Sequence, residues 1–557
     1  MPIYYLDNNR GSNANSGLSP SQAWKDLSQI AATTGATSGD AFLLADDSEW
    51  VLTVAQRIVP PASWTGQAAN PVVIGKYSPS SQSVGNRPRI RCRNILTAAD
   101  WTYNAPLNAW EHVFASNHIN KLMYIKLGGT WIANATDQAA NTALASIDGR
   151  FNVGSTTARL LLWAPSGSNP VDYYGSVVIS PHALGAITLS SGRNCVDVED
   201  IEFVECGSGV TMFSGTTAQA TFNVRGCRGY DLATLAFLNG DTVGVLRGGV
   251  YDSEVSNFGA VAIHASATSG AGVSFVEVAG NTISDGGRTQ SQGAIYMQVR
   301  NAARDFISLV HHNDVSGYRW GTRDKGLDGS AIYLETGSDG VRVFANYIHD
   351  TYCAIQDNSG RRSVITGNVV QNCRLGIRIT DQQNNNQSDV RLFNNTFLVG
   401  YEGRVPTQWG SNQGNQYTSV WMFKSTSGLS LTATNNIFAH FGSTQGQAAF
   451  GLPDGTATTS LDGNWVYNYS ADTRRASDNS SPASVTKVGT TDPTPFLSNE
   501  GALRIPDGTL LTTLGANNPL ALSGAYISGV QLRNGRMRPG FCPVGACQAV
   551  LPRTFRA

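Results

Sequence analysis

At 557 residues the chain is longer than one ordinary hydrophobic core organises, so it holds either several domains or one elongated repetitive domain. Charged residues make up 14% and the formal net charge is −1, a balance that excludes recruitment of nucleic acid or an anionic membrane by bulk charge. The eight cysteines lack zinc-site spacing and no apolar run reaches the ~18 residues of a membrane span, so neither a metal, a cofactor nor membrane insertion is expected.

In chain order, residues 1–60 read as an opening and capping segment. Ser19-Pro20-Ser21-Gln22 has the form of a capping box with proline at the first helical position, and Trp24, Leu27 and Ile30 come after it at about helical spacing. A short amphipathic helix is therefore expected to close the open end of a stack of strands. The start, Met1-Pro2-Ile3-Tyr4-Tyr5, has neither a basic nor an apolar signal region, which implies a protein made in a cytoplasm or one whose signal was removed. Residues 61–190 read as early coils, with a β-rich insertion or irregular coils around Trp101, Trp110, Trp131 and Trp163.

From 191 to 475 the chain repeats. An Asn followed two residues later by an apolar residue recurs at Asn281, Asn313, Asn346, Asn368, Asn395 and Asn436, each preceded at three residues by a small or apolar side chain. The shortest interval, from Asn346 to Asn368, is 22 residues, and the longer ones read as the same unit with loops inserted at a corner. A second strand comes after each Asn strand, and aligning these puts Ile263, Ile295, Ile332, Ile355 and Ile377 in one column. Short β-branched strands, Asn or Gly corners and a ~22-residue coil are what stacking strands about 4.8 Å apart requires, and asparagines stacked at a corner can bond along the stack. A sandwich with Asn-Gly-rich loops would not hold one column through five units. The fold class is thus all-β, a parallel β-helix solenoid, with residues 476–557 as a loop-rich cap in which Cys542 and Cys547 could bridge.

With the isoleucines inward, strand alternation turns His264, Tyr296, Tyr333, Gln356 and Arg378 to the outer face, and Ser266, Gln298, Glu335, Asn358 and Thr380 beside them. These are expected to face solvent as a sugar-binding groove, in which ring faces pack on pyranose C–H surfaces and planar polar groups sort hydroxyls. The longest loops, 284–292 and 316–329, concentrate charge over it: Asp285, Arg288, Arg319, Trp320, Arg323, Asp324, Lys325 and Asp328. Glycoside hydrolysis needs two carboxyl groups, and Glu335 with Asp328 is the best pair, Asp285 the reserve. The bland alternatives are a turn residue before Gly329 for Asp328 and a solvated strand residue for Glu335. The binding set is His264, Tyr296, Gln298, Trp320, Tyr333 and Arg378. His264, Tyr333 and Arg378 could also serve a lyase, although no calcium-binding carboxylate cluster is evident. His311 and His312 are assigned a structural or surface role because neighbours on a strand point to opposite faces, and Cys353 and Cys373 are read as core stacking.

The repeats, with the opening stretches YLDNNRGSNANSGLSPSQAWKDL, GDAFLLADDSEW and PVVIGKYSPSSQSVGNRPRI, the later LLLWAPSGSNPVDYYG and the closing RMRPGFCPVGACQAV, resemble the right-handed parallel β-helix family of pectate-lyase-like and tailspike proteins. The resemblance implies a phage tailspike-like receptor-binding protein that binds and hydrolyses a bacterial surface polysaccharide, capsule or lipopolysaccharide. It also implies a homotrimer in a virion tail, next to other tail proteins, although no trimerisation segment is visible after residue 480. Two other readings are a secreted, extracellular polysaccharide lyase and a non-catalytic glycan-binding or structural virion fibre.

Overall fold

The structure is a computed structural model that describes residues 1–52, 57–79, 86–113, 122–131, 151–153, 159–181, 185–189, 195–213, 219–240, 245–267, 274–287, 293–299, 308–318, 330–358, 362–380, 389–400, 418–423, 430–440, 446–452, 458–475, 485, 487–490, 530–531 and 537–538. It falls into two compact units, one of residues 1–265 with 283–292 and 319–323, the other of 266–282, 293–318 and 324–557.

Both units are parallel β-helix. In the first, one sheet stacks Ile3–Leu6, Ala41–Ala45, Val72–Tyr77, Val196–Glu199, Gln219–Arg225 and Val245–Tyr251 in parallel. A second sheet stacks Glu49–Leu52, Arg89–Cys92, Glu202–Val204, Arg228–Tyr230 and Glu254–Ser256, and a third Gly185–Leu189, Ser208–Phe213 and Thr234–Asn239. The second unit repeats this arrangement. Its first sheet runs from Phe275–Ala279 to Thr458–Asp462, its second from Asp314–Ser316 to Lys487–Gly489 and its third from Gly293–Val299 to Tyr469–Arg475. In the third, Ile295, Ile332, Ile355 and Ile377 pair residue on residue, continue into Val420, and are all fully buried. The column read from sequence is therefore the inner wall of this sheet.

The asparagine recurrence is a ladder inside the second unit. Asn281 donates from Nδ2 to Asn313 Oδ1 at 2.9 Å, and the same bond links Asn313 to Asn346, Asn346 to Asn368, Asn368 to Asn395 and Asn395 to Asn436 at 2.9 Å each. Asn464 is a seventh member, accepting from Asn436 at 3.1 Å. The residue before each Asn is left-handed: Gly280, His312, Ala345, Gly367, Asn394, Asn435 and Gly463 have φ between 51° and 71°. That backbone turns the chain between the first and second sheets, and Gly or Asn adopts it at least cost. In the first unit the same corner is made by Asp200, Gly226 and Asp252, with buried Ile201, Cys227 and Ser253 in place of Asn.

The β-rich insertion leaves one coil of the first unit between its second and third sheets. It consists of two four-stranded antiparallel sheets, one containing Asn94–Leu96, Leu122–Leu127 and Val177–Pro181, the other Thr102–Asn104, Ala109–Val113, Phe151–Val153 and Arg159–Leu162. Leu96, Trp101, Leu127, Leu162, Val177 and Ile179 form their shared core. Lys126 anchors the insertion to the coil, bonding Asp231 and lying 3.5 Å from Glu205, which also pairs with Arg91 at 2.8 Å.

The helical start departs from the sequence reading. Pro20–Gln22 is a single 3-10 turn whose Ser19 makes no capping bond, and the α-helix spans only Ser28–Ala32. Trp24 is not helical but bridges Leu6 and stacks on Tyr4, which stacks on Phe42, and Phe42 on Trp64. Pairing with the first strand outweighs helical spacing there, while Leu27 and Ile30 are buried as expected. The pair Cys542 and Cys547 lies outside the described residues.

Candidate functional site

The outer face of the third sheet in the second unit brings together five of the residues singled out from sequence. Tyr296, Tyr333, Gln356 and Arg378 pair in direct register, each one coil on from the last. Beside them run Gln298, Glu335 and Asn358, because Met297 opposes Leu334 and Leu334 opposes Asp357.

The expected exposure of the first row is corrected. Tyr296 is 5% exposed, Tyr333 1%, Gln356 0% and Arg378 1%, so this row is covered, not open to solvent. Strand alternation fixes the side of the sheet a residue takes, but not whether that side is roofed. Tyr296 and Tyr333 stack with ring centroids 5.5 Å apart and planes 14° apart, and Arg378 Nη1 lies 3.5 Å from Gln356 Oε1.

In the second row Gln298 and Glu335 are half-buried, while Asn358 is buried. Glu335 comes directly after the strand Ser330–Leu334, and its Oε1 accepts from Asn358 Nδ2 at 2.8 Å and from the Thr336 backbone N–H at 2.6 Å. Asn358 Nδ2 also donates to Tyr333 Oη at 2.9 Å. Gln298 donates to the Thr336 carbonyl at 3.1 Å and accepts from Tyr296 Oη at 3.2 Å and Ser266 Oγ at 3.3 Å. Both coil neighbours of Glu335 in this row are thus amides, which position a carboxylate and bond hydroxyls but supply no second carboxyl group. Asn358 was aligned in the outer row from sequence yet not singled out, since its bond to Glu335 depends on side-chain geometry that a repeat pattern does not carry.

Asp328 and Trp320, with Arg288, Arg319, Arg323, Asp324 and Lys325, lie outside the described residues. Two further candidates belong to the other unit. His264 stacks on Phe237 at 4.4 Å, and Asp285 is exposed on a left-handed corner with φ 55°, in the series of Asp231 and Asn257. A turn role explains that aspartate by its backbone alone.

Other titratable groups were missed in sequence. On the first unit's first sheet, Asp197 and Glu199 sit two apart on the strand Val196–Glu199 and so share a face. Burial pushes both above the ordinary carboxylate range, opposed at Asp197 by an Asn223 bond of 2.8 Å and reinforced at Glu199 by the charge of Asp197. In the second unit, His349 is held between Asp314 at 3.2 Å and Asp350 at 2.6 Å. Burial lowers its pKa, but the bonds and charges of the two carboxylates outweigh that and raise it.

His311 and His312 do not point to opposite faces as expected. The strand ends at His311, and His312 is left-handed, so the two Nδ1 atoms meet at 2.8 Å where opposite faces were expected. His311 Nε2 meets Glu277 at 2.7 Å and its ring stacks on Phe344 at 4.5 Å. Among the described residues no group of three or more His, Cys, Asp and Glu is arranged to hold a metal ion. Cys353 and Cys373 are fully buried, as read.

No protein-family model matches the chain. No curated protein matches it either. Among solved structures it is similar to XylC in complex with xylose, at 10% identity and a TM-score of 0.53, covering 88% of this chain and 86% of that one. A protein described as a glycoside hydrolase shares 9% identity over 91% of this chain and 100% of that one, with a TM-score of 0.45. The native GH136 lacto-N-biosidase of Eubacterium ramulus shares 12% identity over 79% of this chain and 64% of that one, with a TM-score of 0.42. At these identities the XylC likeness shows the fold and nothing finer.

Proposed function

We propose that this protein binds a glycan along the outer face of the third sheet in its second unit and cleaves it by hydrolysis, with Glu335 as one carboxyl group and Asp328 as the other. The observation that carries the reading is the row Gln298, Glu335, Asn358. It is a half-buried carboxylate held by two hydrogen bonds, flanked on one adjacent coil by the half-buried Gln298, able to bond a sugar hydroxyl, and on the other by the buried Asn358, and backed by stacked tyrosines. The coil structure favours a polymer as the ligand, because it repeats such polar groups from one coil to the next at the strand spacing of about 4.8 Å.

The test is incubation of the full chain with bacterial capsule and lipopolysaccharide preparations, reading new reducing ends against the ultraviolet absorbance of an unsaturated uronate. Reducing ends alone support hydrolysis, whereas unsaturated product would assign a lyase, and retention on glycan without cleavage would assign a binding protein. Glu335→Gln and Asp328→Asn should each cost about 100-fold or more if these groups serve as acid, base or nucleophile. Unchanged cleavage by Glu335→Gln overturns the assignment.

The finer reading, a trimeric tailspike-like receptor-binding protein of a virion with a bacterial surface polysaccharide as partner, is supported by the resemblance of the opening and closing segments. Sedimentation as a monomer at micromolar concentration would remove the trimer from it.

A further inference from the structure

We infer that Asn358 is a positioning residue that locks the orientation of the Glu335 carboxylate and turns Oε2 toward the ligand; this rests on the proposed catalytic role of Glu335.

A glutamate at a strand end ordinarily rotates freely about its last torsion, which is broad and two-fold, and so interchanges its two oxygens. Here both donors converge on one oxygen. Asn358 Nδ2 reaches Oε1 at 2.8 Å and the Thr336 N–H reaches it at 2.6 Å, while among the described residues Oε2 has no hydrogen-bond partner. Each donor is itself held. The Asn358 amide nitrogen spends its other proton on Tyr333 Oη at 2.9 Å, and Tyr333 is fixed by its stack on Tyr296. The peptide that carries the Thr336 N–H is fixed through its carbonyl, Glu335 O, which accepts from the Ser338 N–H at 2.9 Å, and the next carbonyl, Thr336 O, accepts from Gln298 Nε2 at 3.1 Å. Rotating the carboxylate plane out of this position would break two bonds to anchored groups, so one oxygen, here Oε1, is committed to the protein and the other, Oε2, is the atom available to a proton, a water or an anomeric carbon. Fixing a reacting oxygen in this way acts mainly on turnover, because the ligand is bound by other groups.

The variants are Asn358→Leu, which keeps the volume and removes the donor, and Asn358→Asp, which replaces the donor with a carboxylate beside Oε1. They are compared with wild type and Glu335→Gln on the polysaccharide the wild type cleaves, using soluble protein with an unchanged unfolding temperature. Asn358→Leu should lower kcat about 10- to 100-fold with KM within about two-fold, as loss of a supporting bond does. In Asn358→Asp two carboxyl groups must share a proton, so the acidic limb of the pH–rate profile should move up by at least about one pH unit. If Asn358→Leu loses the fold, the pH profile of the nearly isosteric Asn358→Asp decides. Wild-type kcat and profile in the Asn358 variants, with Glu335→Gln inactive, overturn the inference alone. Full activity of Glu335→Gln overturns the reading of the site instead.

Discussion

Replacing Asn346 with alanine tests what the asparagine ladder contributes. Four bonds end on that side chain: Nδ2 to Val310 O at 3.0 Å and to Asn368 Oδ1 at 2.9 Å, and into Oδ1 from the Asn313 backbone N–H at 3.1 Å and Asn313 Nδ2 at 2.9 Å. Asn368 Oδ1 keeps the backbone N–H of residue 346 at 3.1 Å, Asn313 Nδ2 keeps the Val278 carbonyl at 2.9 Å and Val310 stays paired in the sheet, so the orphaned groups are the Asn313 backbone N–H and one amide proton of Asn313. The site is 2% exposed, and water does not replace them without opening the coil. At about 1–3 kcal/mol for each of the two buried donors, the expected loss is about 2–6 kcal/mol, some of it recovered where a group finds another partner. Because a repeat protein opens locally, the sharper assay is native-state hydrogen exchange at the Asn313 amide, read beside the urea midpoint. Exchange there should speed up by at least about 30-fold, since 1.4 kcal/mol is a factor of ten. Exchange within about three-fold of wild type would refute the view that the ladder holds the corner.

Two other outcomes are expected. His349 has a folded-state pKa above its ordinary 6.5, so its contribution to stability is fully present below about pH 6.5 and disappears as pH rises through the raised value. The difference in unfolding temperature between wild type and His349→Gln should therefore be larger at pH 5.5 than at pH 8.5, and a flat difference would contradict the Asp314 and Asp350 pairing. Burial pushes the thiols of Cys227 and Cys373 up to about 12 and that of Cys353 to about 11. Peptide mapping after iodoacetamide at pH 8 should find these three unmodified in native protein and alkylated in urea; rapid native labelling would show that the coil opens.

The repeat was legible because it obeys a strict structural demand. An amide at the corner must meet an amide one coil on, so the sequence keeps Asn281 through Asn436 in phase despite loops of different length between them. The same holds for the isoleucine wall. What strand alternation could not reveal is cover over the outer face, and Tyr333 and Arg378 proved buried where exposure was expected. The left-handed residue before each Asn went unread because His312 and Ala345 occupy it as well as Gly and Asn, and that turn brings His312 against His311. At the site, Glu335 was found through its column, while its hold by Asn358 and Thr336 depends on rotamers that a one-dimensional pattern does not encode. The insertion was recognised by its tryptophans, and its division into two antiparallel sheets emerged only from long-range pairing.

The insertion also bears on how the first unit folds. Its two ends are neighbours, since Asn94–Leu96 pairs antiparallel with Val177–Pro181, and it has its own core of Leu96, Trp101, Leu127, Leu162, Val177 and Ile179. Once formed, it brings the flanking chain together, and the entropy of closing a long loop is largely met before Val72 finds Val196. A topology that looks slow from its sequence separations is thereby shortened to the reach of an ordinary coil.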